Sequence, residues 1–234
     1  MQEAVTTALP SGRTGVTDAL RVQILATEHS SPLATRGMIW NEMFACAGMY
    51  PTVLSAATVA LALVAQATDF GGHFRLFALL VLPIVFILGY GTQTRLGDAR
   101  AEEVWRVVGM NRLRHAYLEL APELAPYFVT SLHDDEAGVI ATYGPVLPGA
   151  ARVAPGRILA GTPELVGVIN AAVAGVLAAL VVEAVAGSVG AGASAGVVGG
   201  LAYLAAYGVN TFRQLEGIRR EYRPRFPGPD RAAR

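Results

Sequence analysis

Four consecutive residues, His133, Asp134, Asp135 and Glu136, form the densest group of metal-ligand and acid-base side chains in the 234-residue sequence. An imidazole and three carboxylates held together could chelate a divalent cation or pass a proton. The run matches no established ligand spacing, however, and no second cluster accompanies it. A solvated loop is the simpler reading, and a membrane-bound enzyme using this loop ranks third among the functions considered. His115 and Glu119 stand four apart on a helical segment, a spacing that suits a metal or a surface pair, and without a second histidine nearby the surface pair is favoured. Glu183 is the one charge deep in a long apolar tract, which makes it a candidate for an ion pathway. It lies about one turn from the end of its segment, so an interfacial glutamate that reaches water is the competing reading. Glu42, beside Asn41, is discounted in the same way. No serine motif, paired carboxylates or Cys/His nucleophilic arrangement stands out, so no catalytic residue, cofactor or metal is assigned.

Composition narrows the classes further. Hydrophobic residues make up 53% and charged residues 15%, far from the balance of a soluble domain. All 18 basic residues are arginine, which excludes a Schiff-base lysine and a Walker lysine. The single cysteine, Cys46, falls in an apolar segment and says little about redox compartment.

Chemistry in such a chain must be positioned by apolar helices. A bilayer core needs roughly 20 predominantly apolar residues in helical form, and four segments qualify: Ala45 to Ala67, Leu76 to about Gln93, Leu165 to Ala186 and Ala191 to Val209. The last two come from one tract too long for a single crossing, with the reversal expected around Gly187 to Gly192. The fold expected is all-α: a polytopic membrane protein with two transmembrane helical hairpins and a cytoplasmic helical middle region. Its parts are an N-terminal segment (1–44), a first hairpin (45–93), a cytoplasmic helix and loop (94–163), a glycine- and alanine-rich second hairpin (164–209) and a basic tail (210–234).

Within these parts, Asp18 is expected to cap a short helix that Pro32 interrupts. Residues 98–121 read as a helix with apolar positions on both sides, which asks for partners on both faces. The stretch after it reads as loop, with a short strand at VIATY (139–143).

Three arginines precede the first span, seven separate the second from the third, seven follow the fourth, and Arg75 alone lies on the other side. Basic residues accumulate on cytoplasmic flanks during insertion, so both termini and the middle region are expected in the cytoplasm of a bacterial inner membrane. Residues 1–20 show no cleavable signal pattern. The basic tail suits anionic lipid and needs no nucleic acid to explain it.

In SVGAGASAGVVGG, residues 188–200, Ser188, Gly192, Gly196 and Gly200 recur every four residues and so share one helix face. Gly175 and Ala179 in the third span offer a matching face. Small residues let helices approach closely where lipid supplies no hydrophobic drive, so these faces are expected to pack, within the chain or between subunits of a homo-oligomer. A dinucleotide-binding loop would need a soluble βαβ frame, which the flanks do not provide.

The stretches WNEMFACAGM, TVLSAATVALALVAQA and GMNRLRHAYLELAPELAPYFVTS resemble an uncharacterised family of small bacterial four-span integral membrane proteins. The layout of two spans followed by a long helix is also similar to SLATT domains, two-span modules proposed as pore-forming effectors, though the second hairpin departs from it. The leading functional expectation is an integral membrane protein acting through oligomeric assembly or interaction. An oligomeric channel lined by the small faces of the third and fourth spans follows it.

Overall fold

In a computed structural model, residues 17–143 and 162–229 are described. Residues 1–16, 144–161 and 230–234 lie outside the described residues, and with them the start of the N-terminal segment, part of the expected loop and the end of the basic tail. The described residues are helical and contain no strand. The elements are α1 (Asp18–Thr68), α2 (Gly72–Leu120), a 3-10 helix (Pro122–Tyr127), α3 (Glu136–Tyr143), α4 (Thr162–Ala186) and α5 (Val189–Glu221). α1, α2, α4 and α5 are each long and apolar enough to cross a membrane.

Two of these helices are longer than the sequence suggested. α1 runs unbroken through Pro32 and Pro51, and α2 runs through Pro83 and on through residues 98–121, so the boundary drawn at 93/94 falls inside a helix. A proline removes one amide donor, but when both flanking turns pack on a neighbour the helix holds its course. α1 and α2 do pack along their length, antiparallel, with Arg95 on Glu42 near the middle and Tyr117 against His29 toward the far end. The cap of α1 is Thr17, whose hydroxyl accepts from the Leu20 amide, and Asp18 is the first helical residue. Expectation fails too at VIATY, which forms the body of α3. Its β-branched residues favour a strand, yet no partner strand is at hand, and the Asp135 carboxylate caps the helix by accepting from the Gly138 amide at 2.8 Å.

The turns are short and their chemistry is local. α1 ends at Asp69, in the left-handed region, as is Phe70 after it. α4 ends at Gly187, also left-handed (φ 65°), and Ser188 then caps α5 by accepting from the Ala191 amide. Glycine at a helix C-terminus followed by a serine cap stops one helix and starts the next within two residues. The structure thus uses Ser188 as a cap, while Gly192, Gly196 and Gly200 face α4.

That face is a backbone contact. A Cβ on Gly196 would lie 2.9 Å from the Gly175 carbonyl oxygen and 3.0 Å from the Ala179 Cβ, and one on Gly175 would lie 2.7 Å from the Gly196 oxygen. α4 also lies antiparallel on α2. Arg75 meets Glu183 near the turns, Gly89 lies against Asn170, and Arg100 meets Glu164 near the other end.

At the centre of the four long helices, polar side chains form a directed chain. The Tyr50 hydroxyl of α1 donates to Asn170 Oδ1 of α4 (3.1 Å), and Asn170 Nδ2 donates to the Tyr203 hydroxyl of α5 (3.0 Å). That hydroxyl in turn donates to Gln93 Oε1 of α2 (2.5 Å). Tyr50, Gln93 and Asn170 are buried, and Leu82, Val85, Leu96, Val166 and Val173 pack in the same core. Large apolar side chains point outward instead, among them Leu63, Leu80, Ile84, Ile87, Val185 and Leu201, each more than half exposed.

Gly196→Val should therefore force α4 and α5 apart and cost at least about 2 kcal/mol. Gly208→Ala, in the same helix but with open space around its Cβ, should gain roughly 0.5–1 kcal/mol from helix propensity. Unfolding of the two variants in detergent should move in opposite directions.

Candidate functional site

Two polar features and one cleft lie along α2, the first at the end that carries the 3-10 helix and the chain's last described residues, the second at the opposite, turn end. The first feature contains the cluster that the sequence singled out. Asp134 is fully buried. Its carboxylate accepts from the backbone amides of Arg225 and Phe226 (both 2.9 Å), from Arg112 Nε (2.8 Å) and lies 3.0 Å from the Tyr222 hydroxyl. Asp135 divides its two oxygens between the Gly138 amide, as the α3 cap, and the Gly228 amide at 3.0 Å. Glu136 pairs with Arg219 of α5. The loop thus holds the segment after α5, Tyr222 to Gly228, against α2.

α2 supports the loop from below. Asn111, fully buried, donates through Nδ2 to the His133 carbonyl (2.8 Å) and accepts at Oδ1 from Arg114 and Thr142. Gly138 is needed there, because a Cβ would meet the His133 carbonyl oxygen at 2.1 Å. His115 stacks on Phe226 at 4.1 Å, and Trp105 meets Tyr222 edge-on at 5.4 Å. His115 also lies 3.7 Å from Glu119, as the four-residue spacing suggested. The two faces of residues 98–121 thus find different partners: Tyr117 meets α1, while Asn111, Arg112 and His115 meet the loop and tail.

The electrostatics follow from this geometry. Burial alone would raise the Asp134 pKa, but the Arg225 amide, the Arg112 guanidinium, the Phe226 amide and the Tyr222 hydroxyl together hold it below the ordinary 3.8. Burial pushes the Tyr222 hydroxyl up and the Arg114 guanidinium down. A carboxylate that accepts four such contacts has its lone pairs committed. It works as an anchor for the tail, not as a free base. Among the described residues no group of three His, Cys, Asp or Glu side chains is placed to hold a metal ion.

The second feature is the ion pair of Arg75 with Glu183 at 3.2 Å, both partly exposed. The one acid of α4's apolar stretch and the lone arginine at the turn end answer each other. Glu42 likewise pairs with Arg95 at 2.6 Å.

The third feature is a cleft of about 640 Å³ between α2 and α5. The two helices touch at one end through Tyr203 and Gln93, Trp105 meets Tyr222, the residue after α5, at the other, and between these points they stand apart. Pro163, at the start of α4, lines it as well. The sequence reading missed this cleft and the central polar chain, because it weighed charges in apolar tracts and passed over the neutral amides Gln93 and Asn170. An asparagine in LVGVINAAVAG was the available signal.

Compared with known proteins, the chain matches no protein-family model, and neither a curated protein nor a solved structure is similar to it.

Asp134→Asn should free the tail at a cost of about 2–3 kcal/mol of docking energy, the range for hydrogen bonds to a charged group. Because the Asp134 pKa is lower in the folded state than in the open one, docking is fully stabilised above the ordinary carboxylate value and lost as pH falls through the depressed one. A spin label on Arg223→Cys in a Cys46→Ser background should be immobile above the ordinary carboxylate range and become mobile only as the pH is taken below it. It should be mobile on both sides of that range in the Asp134→Asn variant, and an immobile label there would refute the anchor.

Proposed function

We propose that this chain is a multi-pass integral protein of a bacterial inner membrane, with both ends in the cytoplasm, that acts by assembling with further copies of itself. The observation that carries this reading is the inverted distribution of side chains. Polar groups from all four long helices meet in the interior, while leucine, isoleucine and valine face outward. A monomeric soluble protein rarely exposes contiguous apolar patches beyond a few hundred Å². Lipid accepts such a surface at no cost.

The arginine distribution supports the orientation. Arg75 is the one arginine at the turn end, and Glu183 neutralises it there. At the opposite end the tail, residues 210–234, carries seven arginines against three acids and suits anionic lipid. Assembly is supported by the outer side of α4 and α5, where Ala172, Val176, Ala193 and Val197 line a shallow apolar groove narrow enough in side chains to admit a second helix. The resemblance to small four-span bacterial membrane proteins belongs to the same proposal.

The alternatives have less behind them. A pore lined by the small faces of α4 and α5 would need those faces free, and they are in backbone contact with each other. An enzyme using the His133 to Glu136 loop would need carboxylates that are instead bound to the tail.

Single cysteines placed by Asp69→Cys and Arg223→Cys in the Cys46→Ser background test orientation. In intact cells a membrane-impermeant maleimide should label the first and leave the second unlabelled until the cells are opened. Labelling of the tail in intact cells would overturn the orientation, and release of the protein by alkaline carbonate would overturn the membrane reading. Crosslinking in native membranes should trap dimers or larger species, and a chain that remains monomeric there would overturn the assembly reading.

A further inference from the structure

The cleft between α2 and α5 has the properties of a ligand site. Each helix turns a stripe toward it at three- and four-residue intervals, from Tyr90 to Trp105 on α2 and from Tyr203 to Ile218 on α5. At 1.5 Å per residue the stripes are about 22 Å long. Its volume of about 640 Å³ falls within the roughly 300–1,000 Å³ of small-molecule sites, and its lining combines aromatic rings with a few polar groups, as such sites do.

The charge inside the cleft decides what kind of molecule fits. Two charged side chains line it, Arg100 and Asp98. Arg100 is occupied, with both terminal nitrogens on the Glu164 carboxylate. Asp98 is exposed and makes no hydrogen bond or ion pair with any other described residue. Among the described residues the cleft therefore offers an unpaired negative charge and no free positive one, which favours a cation over phosphates, carboxylates and nucleotides. The same lining carries four aromatic side chains, Tyr90, Trp105, Tyr203 and Tyr207. Aromatic faces attract cations through their quadrupole, most strongly where water is partly excluded. We infer that the α2–α5 cleft binds a lipophilic organic cation, with Asp98 as counter-ion and the aromatic side chains as its apolar wall.

Room for such a molecule is built into the backbone. Gly97 lies on the α2 stripe one residue before Asp98, and a Cβ there would meet nothing within 4 Å. A larger side chain at this position would enter the cleft without disturbing the helix packing.

The test uses the full chain in detergent with Trp40→Phe, which leaves Trp105 as its one tryptophan, and tetraphenylphosphonium as the probe. The cation should quench Trp105 saturably at one equivalent per chain. Asp98→Asn should weaken binding about threefold to fivefold, in line with the loss of an exposed charge pair. Gly97→Leu should abolish it, with Asp98→Asn keeping the parent's unfolding transition and Gly97→Leu unfolding no more easily than the parent, and Asp18→Asn, at the distant start of α1, should leave binding unchanged. The inference is overturned if Asp98→Asn binds as the parent does, if neutral triphenylphosphine oxide binds as tightly as the cation, or if quenching is unsaturable and equal in all variants. None of these results bears on whether the helices span a membrane, which the labelling experiment decides separately.

Discussion

The four long helices are tied together by one hydrogen-bonded chain, from Tyr50 to Asn170 to Tyr203 to Gln93, and the rest of the arrangement has to accommodate it. Each bond joins a different pair of helices, so the chain fixes their relative heights as well as their neighbours. Gly89 has to be glycine, since a Cβ would lie 2.2 Å from Asn170 Oδ1, and Gly167 likewise makes way for the Gln93 amide. Interhelical hydrogen bonds in lipid average about 0.6 kcal/mol each, so three of them contribute roughly 2 kcal/mol. That is modest as stability. Its larger effect is on specificity, because a slipped register would leave amides and hydroxyls unpaired in an apolar interior.

With heights fixed, close packing can follow. The small-residue faces of α4 and α5 bring backbone against backbone along three turns, close enough for dispersion to hold them together. α5 leans on α4 so closely that it stands off α2, and the α2–α5 cleft is what remains between the Tyr203–Gln93 and Trp105–Tyr222 contacts. The segment after α5 then turns back and is held at Asp134, closing the lower end of the same cleft through Tyr222 and Trp105. The clasp, the cleft and the central chain are thus one connected construction along α2.

Much of this was legible in the sequence wherever the signal was a run or a period. The four apolar segments, the reversal near Gly187 and the shared face of Gly192, Gly196 and Gly200 all follow from hydropathy and spacing, and the described residues are helical as expected. What escaped depended on contacts distant in sequence. Pro32 reads as a break, but α1 is held along α2 and continues. VIATY reads as a strand, but a carboxylate next to it caps a helix. Asp134 and Asp135 read as solvated or reactive, and their role was hidden because their partners, the amides of Arg225, Phe226 and Gly228, carry no side-chain signature. Gln93 and Asn170 were invisible to a search for charge. Ser188 was grouped with the packing glycines by spacing alone, and its hydroxyl proved to be a helix cap.

A bundle whose polar groups converge inward and whose leucines face outward is matched to a solvent that offers neither hydrogen bonds nor a hydrophobic drive. In such a solvent the central chain must act as a unit. A double-mutant cycle of Tyr50→Phe and Asn170→Ala, with unfolding measured in lipid bicelles, tests that claim directly. Coupling of at least about 0.5 kcal/mol between the two sites is the result expected for partners in one network. Strict additivity of the two changes would contradict it.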